Sequence, residues 1–149
     1  MSAETFIVSK GRINELANRV ENSDPGTSGF LLAYYQGVEA FSVLETRATK
    51  SAVDANNTEC TFTNYVVQTL ANVIYSTAGV EGFCTADDQV LSNAGGVVNN
   101  TIVRAIVYYA TDTALPANAI PLAHYQFDIT TDGSDLTFDI PASGLYRSG

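Results

Sequence analysis

Residues that commonly carry enzyme chemistry are scarce in this sequence. Among its 149 residues there is one His, there are two Cys, and there is no Trp. A single His cannot supply the His pairs found in many zinc sites, and no GxGxxG, GxxxxGK[ST], GxSxG or HExxH pattern occurs in the chain. We therefore expect no enzymatic activity, no cofactor and no metal site.

Basic residues are also few. Seven Lys and Arg stand against 16 Asp and Glu, which gives a formal net charge of −9. Residues 1–50 hold five bases and six acids, whereas residues 51–149 hold two bases and ten acids. Phosphate backbones and anionic lipids repel an acidic surface, so neither nucleic acid nor a membrane is an expected partner. The acidic excess either keeps the chain soluble or attracts a basic surface.

Long hydrophobic runs are absent. The opening residues lack the basic and apolar regions of a signal peptide, and no run approaches the roughly 20 apolar residues that span a bilayer. Cys60 and Cys84 would close a loop worth about 3 kcal/mol if they were bonded. Assembly in a reducing cytosol favours free, partly buried thiols instead.

What the sequence does contain is enough apolar residues, 46% of the chain, to form the core of one domain. Near the start, four apolar residues have the i, i+3, i+4, i+7 spacing of one helix face: Ile13, Leu16, Ala17 and Val20. This predicts a short amphipathic helix within 6–21, with Ser9 as a candidate cap. Residues 43–55 have helix-forming composition and predict a second short helix or a long excursion.

Three segments predict strands by their composition. Residues 29–36 form a short apolar run that predicts a buried strand. Residues 101–109 are almost continuously apolar, which is typical of a strand covered on both faces. Residues 61–70 are rich in β-branched and aromatic residues, which favour strands. Beyond residue 58 the pattern is mainly that of β-strands.

Toward the C-terminus the pattern alternates between apolar and polar residues. Residues 123–129 and 136–140 have the alternation of half-buried strands, and Asp132-Gly133 between them predicts a hairpin turn. The stretch 76–100 contains several glycines and an acidic pair, so we predict a loop there.

Together these patterns predict a mainly β fold: a single β-sandwich-like domain with a short N-terminal α-helix and a possible second helix near 43–55. We place the sandwich at residues 23–149 and a helical segment at residues 1–22. That segment either reaches a neighbouring subunit as an arm or caps its own sandwich.

Two candidate sites for chemistry have simpler explanations. His124 lies on an alternating strand without metal-ligand spacing around it, so it is expected to be an ordinary strand residue. Oxygen ligands for calcium are suggested by the cluster Asp128, Asp132, Asp135 and Asp139. Their spacing differs from that of a helix–loop–helix calcium site, and a solvated hairpin is the favoured interpretation.

Aromatic pairs and two arginines are the candidate interface residues. Tyr has a large apolar body and a polar tip, which suits interfaces as well as cores. The core is the favoured place for any single Tyr, but eight of them in a lightly charged chain favour extensive protein contacts. The candidate protein-interface residues are Tyr34, Tyr35, Tyr108 and Tyr109, together with Arg12 and Arg19 from the predicted helix.

Four short turn and strand signatures stand out: Phe62-Thr63-Asn64-Tyr65, Asn99-Asn100-Thr101, Ile120-Pro121-Leu122 and Thr131-Asp132-Gly133-Ser134-Asp135-Leu136. With the opening KGRINELANRVENSDP, they resemble a widespread group of small structural proteins of tailed-bacteriophage virions. The resemblance extends over residues 9–147, and the loop 76–100 is where it is weakest.

The resemblance implies a virion component with a β-sandwich domain. The favoured hypothesis is a capsid cement (decoration) protein that binds and stabilises major capsid subunits as a homo-oligomer, in a virion assembled in the host cytoplasm. One alternative is a tail, neck or fibre-base accessory protein. An alternative from another class is a host-surface or glycan-binding module that uses exposed Tyr rings and Asn or Asp side chains.

Overall fold

The fold consists of short helices and many strands. The computed structural model describes residues 3–78, 81–140 and 146–148. The helices in these ranges are α1 (Ile13–Glu21), α2 (Phe41–Leu44) and α3 (Lys50–Asn56), with 3₁₀ turns at Ile7–Ser9 and Pro116–Asn118. The strands are β1 (Ala3–Thr5), β2 (Gly29–Gly37), β3 (Thr58–Glu59), β4 (Gln68–Thr69), β5 (Ile74–Ala78), β6 (Glu81–Thr85), β7 (Gln89–Leu91), β8 (Thr101–Ala110), β9 (Ile120–Thr130), β10 (Leu136–Phe138) and β11 (Tyr146–Ser148). The predicted mainly β, sandwich-like fold is confirmed.

A six-stranded antiparallel sheet forms the centre of the molecule. Its strand order is β1-β9-β8-β2-β3, and β4 also pairs with β2. The long strands pair over most of their length, with Gly29 opposite Ala110 and Ile106 opposite His124. The remaining strands form the two-stranded sheet β10-β7 and the three-stranded sheet β11-β6-β5. The two apolar runs of the sequence are therefore the central strands β2 and β8, as predicted.

Both faces of this main sheet are covered. One face packs against α1 and against strands of the smaller sheets, through Ile13, Cys84, Leu91 and Phe138. The other face packs against the two later helices and the 3₁₀ turns, through Phe6, Leu44, Val53 and Ala119. Successive residues of β2 are buried because each points into one of these two layers, which is why its sequence does not alternate.

The N-terminal segment packs on its own domain within the described residues. Ile13, Leu16 and Ala17 are buried on α1, as the helical spacing predicts. Ser9 does not cap this helix, because its hydroxyl donates instead to the carbonyl of Pro121 at 2.6 Å. Ahead of the helix, β1 extends the main sheet, with Ala3 opposite Tyr125. This segment therefore supplies an edge strand of the main sheet, β1, and a helix, α1, that packs on one face of that sheet.

The helical segment predicted near 43–55 is two helices, α2 and α3. Thr49 separates them with an extended backbone, at φ −142° and ψ 157°. Its hydroxyl accepts the N–H of Ala52 at 3.2 Å, so Thr49 is the N-cap of α3.

The strand predicted over 61–70 is wrong for most of its length, since only β4 is extended and paired there. Asn64 adopts a left-handed φ of 70°. The chain turns at this point, and the N–H of Tyr65 bonds the carbonyl of Phe62 at 3.0 Å. The β-branched and aromatic composition therefore reflects burial of individual side chains rather than a continuous strand.

The hairpin predicted farther along is wrong, and the loop predicted over 76–100 is wrong in part. β10 pairs with β7 and not with β9, with Leu136 opposite Leu91. The link between β9 and β10 leaves the main sheet and leads to the two-stranded sheet β10-β7. In this link the N–H of Gly133 donates to the carbonyl of Ala94 at 2.7 Å. The stretch 76–100 contains β6 and β7 as well as the end of β5. Residues 79–80 of that stretch lie outside the described residues.

Candidate functional site

The four candidate interface tyrosines lie in the interior. Tyr34 and Tyr35 on β2 and Tyr108 and Tyr109 on β8 are at most 3% exposed. Tyr35 and Tyr108 point into the layer of α2 and α3, while the other two point into the opposite layer. Both members of each pair are buried because both faces of the sheet are covered. This corrects the placement of these rings on a partner-facing surface of the folded chain.

The two candidate arginines are on the surface. Arg12 is exposed directly before α1, and Arg19 lies on that helix. The Arg19 guanidinium is 3.2 Å from the Glu15 carboxylate, with 49% of the Arg side chain exposed. Such an exposed i, i+4 pair stabilises a helix by only about 0.3–0.5 kcal/mol. A contact of either arginine with another subunit stays a prediction.

Around the Tyr35–Tyr108 pair lies a chain of polar contacts that sequence reasoning missed. The hydroxyl oxygens of these two residues are 2.6 Å apart, and the Tyr35 hydroxyl also donates to Asp54 at 2.6 Å. Lys50, which is 4% exposed, donates to Asp54 at 2.7 Å and to Glu59 at 2.9 Å. These contacts connect α3 to three strands of the main sheet.

The tyrosine hydroxyls of this network act as hydrogen-bond donors. The hydroxyl of Tyr65 donates to Glu59 Oε2, whereas Lys50 donates to Oε1 of the same carboxylate. Burial raises the pKa of Tyr35, of Tyr65 and of Tyr108 well above the ordinary value of a phenol. These hydroxyls therefore stay protonated near neutral pH and act as hydrogen-bond donors. The network fixes the position of α3 on the sheet.

His124 is buried next to two aromatic rings. It is 0% exposed, and its ring centroid lies 5.5 Å from that of Phe6 and 5.1 Å from that of Phe41. Its Nε2 is 3.3 Å from Glu45, whereas its Nδ1 has no hydrogen-bond partner among the described residues. Burial lowers the pKa of His124, and Glu45 only partly opposes this effect. The imidazole is therefore neutral at pH 7. His124 is an ordinary strand residue, as expected from the sequence, but it is fully buried.

Three of the four signature elements of the sequence meet where β8 begins and β9 ends. We call this region, residues 61–65, 93–100 and 131–135, the loop cluster. The N–H of Asn100 bonds the hydroxyl of Thr131 at 3.0 Å, and the N–H of Thr131 bonds the carbonyl of Asn100 at 3.0 Å. The Asn100 side chain accepts the N–H of Thr61 at 2.6 Å.

Glycine lets these segments approach each other closely. Gly95 has a φ of +87°, and an added Cβ would overlap the side chains of Asn99 and Thr131. The N–H of Gly95 bonds the carbonyl of Thr63 at 2.8 Å. The signature residues thus hold backbone segments together, and hydrogen bonds connect the loops of the cluster to one another. The fourth element, 120–122, lies at the opposite end of β9.

Two of the aspartates considered for calcium accept hydrogen bonds from other residues of the chain. Asp132 accepts the hydroxyl and the N–H of Ser134, and Asp135 accepts the N–H of Asn93 at 3.0 Å. Within residues 3–78, 81–140 and 146–148, no group of three or more His, Cys, Asp or Glu side chains could hold a metal ion. The described side chains therefore give the calcium interpretation no support.

The two cysteines are free, as favoured from the sequence. Cys60 is 3% and Cys84 is 0% exposed, and they are not bonded to each other. Burial raises the pKa of each thiol to about 12, so neither is a reactive thiolate near neutral pH.

No helix in the described part of the chain is long and apolar enough to cross a membrane.

Comparisons with known proteins give no assignment. Protein-family models, curated proteins and solved structures were compared with the chain, and none of the three gives a significant match. A functional proposal therefore depends on the resemblance of the sequence elements and on the geometry of the loop cluster.

Proposed function

We propose that the chain is a non-enzymatic structural protein of a tailed-bacteriophage virion, and specifically a capsid cement protein that binds and stabilises major capsid subunits. The observation that carries the proposal is the convergence of three virion-like sequence elements in one loop cluster. Their side chains bond backbone atoms, as Thr131 does with Asn100. Such residues build a surface of fixed shape.

A fixed surface suits attachment in many copies. Loops that are already ordered lose little conformational entropy when they dock, so more of the contact energy appears as affinity. Stable attachment takes contacts that bury about 1,200 Å² or more in total. A symmetric homo-oligomer of the chain would present several such surfaces to the capsid at once.

The alternative within the virion is a tail, neck or fibre-base accessory protein. Copy number separates the two positions. Particles purified from a host that carries the gene would be analysed by gel densitometry and by electron cryomicroscopy. A capsid cement protein is expected in hundreds of copies on the shell, and a dozen copies or fewer would favour the tail or neck instead. Absence of the chain from the particles would contradict both proposals.

The glycan-binding alternative loses its main support. It depends on exposed Tyr rings as platforms for sugars, and the structure describes the exposure of seven of the eight tyrosines. Five of them are buried and the two others, Tyr65 and Tyr75, are half-buried. A glycan array with no signal is the expected result.

A further inference from the structure

Four exposed valines lie in the loop cluster or next to it in the chain. They are Val66, Val90, Val97 and Val98, which are 59%, 51%, 91% and 46% exposed, and we call them the valine surface. Isolated exposed apolar residues are common, but a group along adjoining segments is typical of contact with another molecule.

The backbone behind the valine surface is held in place. The segment 62–68 runs beside the segment 90–98. Thr63 exchanges hydrogen bonds with Val98, whose carbonyl accepts the N–H of Thr63 at 3.0 Å and whose N–H donates to the Thr63 hydroxyl at 2.9 Å. The amide of Gln68 donates to the carbonyl of Val90 at 3.2 Å. The valines therefore project from a surface that needs little rearrangement to bind.

The charge around the valine surface has one sign. No Lys or Arg occurs between Lys50 and Arg104, so all its segments lack basic residues. Exposed carboxylates border it at Asp88, Asp132 and Asp135. Hydrogen bonds from Ser134 lower the pKa of Asp132, which keeps this carboxylate charged at mildly acidic pH. The segments that carry the four valines therefore have no base, and the exposed charges named beside them are acidic.

We propose that the valine surface and its bordering carboxylates dock on a basic, apolar-centred surface of another protein of the virion. This inference rests on the proposed function and adds the surface and the chemistry of the partner. A two-fold contact between two copies of this surface would place carboxylates against carboxylates, which is unfavourable. The exposed bases Lys10 and Arg12 of a second copy are the competing occupant, which the cross-linking experiment below distinguishes from another protein.

Substitutions at one valine test the surface. Virions assembled without the gene would be mixed with the purified chain, and bound protein would be measured after sedimentation. Val97→Arg removes an apolar contact and adds a charge like that of the partner, so attachment should weaken at least about tenfold. Val97→Glu keeps the favourable sign and should weaken attachment less. The matched control is Leu115→Arg, since Leu115 is 58% exposed in the loop at the other end of β8 and β9.

The outcomes distinguish this inference from the function on which it rests. If the wild-type chain does not attach to the virions, the proposed function fails. If the wild type attaches and Val97→Arg attaches equally well, the function stands and the docking surface is wrong. Unchanged urea midpoints for both arginine variants would show that folding is intact. Attachment should also weaken as NaCl rises from about 0.1 M to about 1 M, because the Debye length falls from about 10 Å to about 3 Å.

Carbodiimide cross-linking identifies the partner directly. The reagent joins carboxylates to lysine amines, and this chain has only two lysines, of which Lys50 is buried. In assembled virions, the peptide that contains Asp132 and Asp135 should be linked to lysines of another protein. Links from that peptide to Lys10 would mean that a second copy of the chain occupies the surface, and links to neither would also overturn the proposal.

Discussion

The tyrosine pair on β2 offers a matched test of the hydrogen-bond network. Tyr34 and Tyr35 are adjacent and equally buried, at 0% exposure. The Tyr35 hydroxyl contacts Asp54 and Tyr108, each at 2.6 Å, whereas the Tyr34 hydroxyl has no hydrogen-bond partner among the described residues. Replacing either by Phe removes one oxygen atom and leaves the ring. The two variants therefore differ mainly in the hydrogen bonds that they lose.

Their expected costs differ by about 2 kcal/mol. In Tyr35→Phe the hydroxyl of Tyr108 is left without its partner in the interior, which costs about 1–3 kcal/mol. Asp54 loses one bond but keeps Lys50, and its side chain is 35% exposed to water, so its share is smaller. A total of about 2 kcal/mol would lower the melting temperature by about 4–8 °C for a domain of this size. Tyr34→Phe should be neutral or slightly stabilising, because it removes a buried polar group that has no partner.

Urea unfolding followed by far-UV circular dichroism measures both variants, and it needs no Trp. The midpoint of Tyr35→Phe should fall by about 1 M without a change in slope. The midpoint of Tyr34→Phe should stay within error of the wild type or rise. Equal destabilisation by the two substitutions would refute the reasoning, since it would mean that ring packing and not hydroxyl pairing sets the cost.

Four further outcomes follow. Lys50→Met keeps the aliphatic stem but leaves two carboxylates facing each other, so unfolding free energy should fall by about 2–4 kcal/mol, and Lys50→Arg should recover part of it. Gly95→Ala should cost at least about 2 kcal/mol in urea unfolding, because of positive φ and steric overlap. The pKa of His124 is lower in the folded than in the unfolded chain, so the unfolded chain binds the proton more readily. The free energy of unfolding should therefore be unaffected by this residue above about pH 6.5 and should fall by up to about 1.4 kcal/mol per pH unit below it. His124→Gln should remove this part of the pH dependence. Cys60 and Cys84 should react with a thiol reagent only after urea unfolding, and rapid reaction of the native chain would contradict their burial.

The elements that the sequence predicted well are those whose pattern arises from one local cause. The stripe Ile13, Leu16 and Ala17 identified α1, because each helix turn returns to the same buried face. The continuous apolar runs identified β2 and β8, because a strand covered on both faces cannot alternate.

The errors arose where contacts distant in sequence decide the conformation. Asp132-Gly133 is a typical hairpin signal, but Gly133 bonds Ala94, and the chain crosses to another sheet. The loop cluster could not be located for the same reason, since its segments are joined by bonds such as Thr61 to Asn100. Lys50 was missed although Asp54 follows it by one helix turn, because the spacing shows a pair but not its burial.

The pairing of distant strands has a consequence for synthesis of the chain. β2 ends at Gly37, and its long partner β8 begins at Thr101. At about 5–20 residues per second, a ribosome needs about 3–13 s to make the residues between them. During that interval β2, an apolar strand, has no β8 to pair with. The interval between the synthesis of β1 and that of its partner β9 is longer still. The nascent chain is therefore most exposed to aggregation before the loop cluster exists, and slower synthesis would lengthen this vulnerable period.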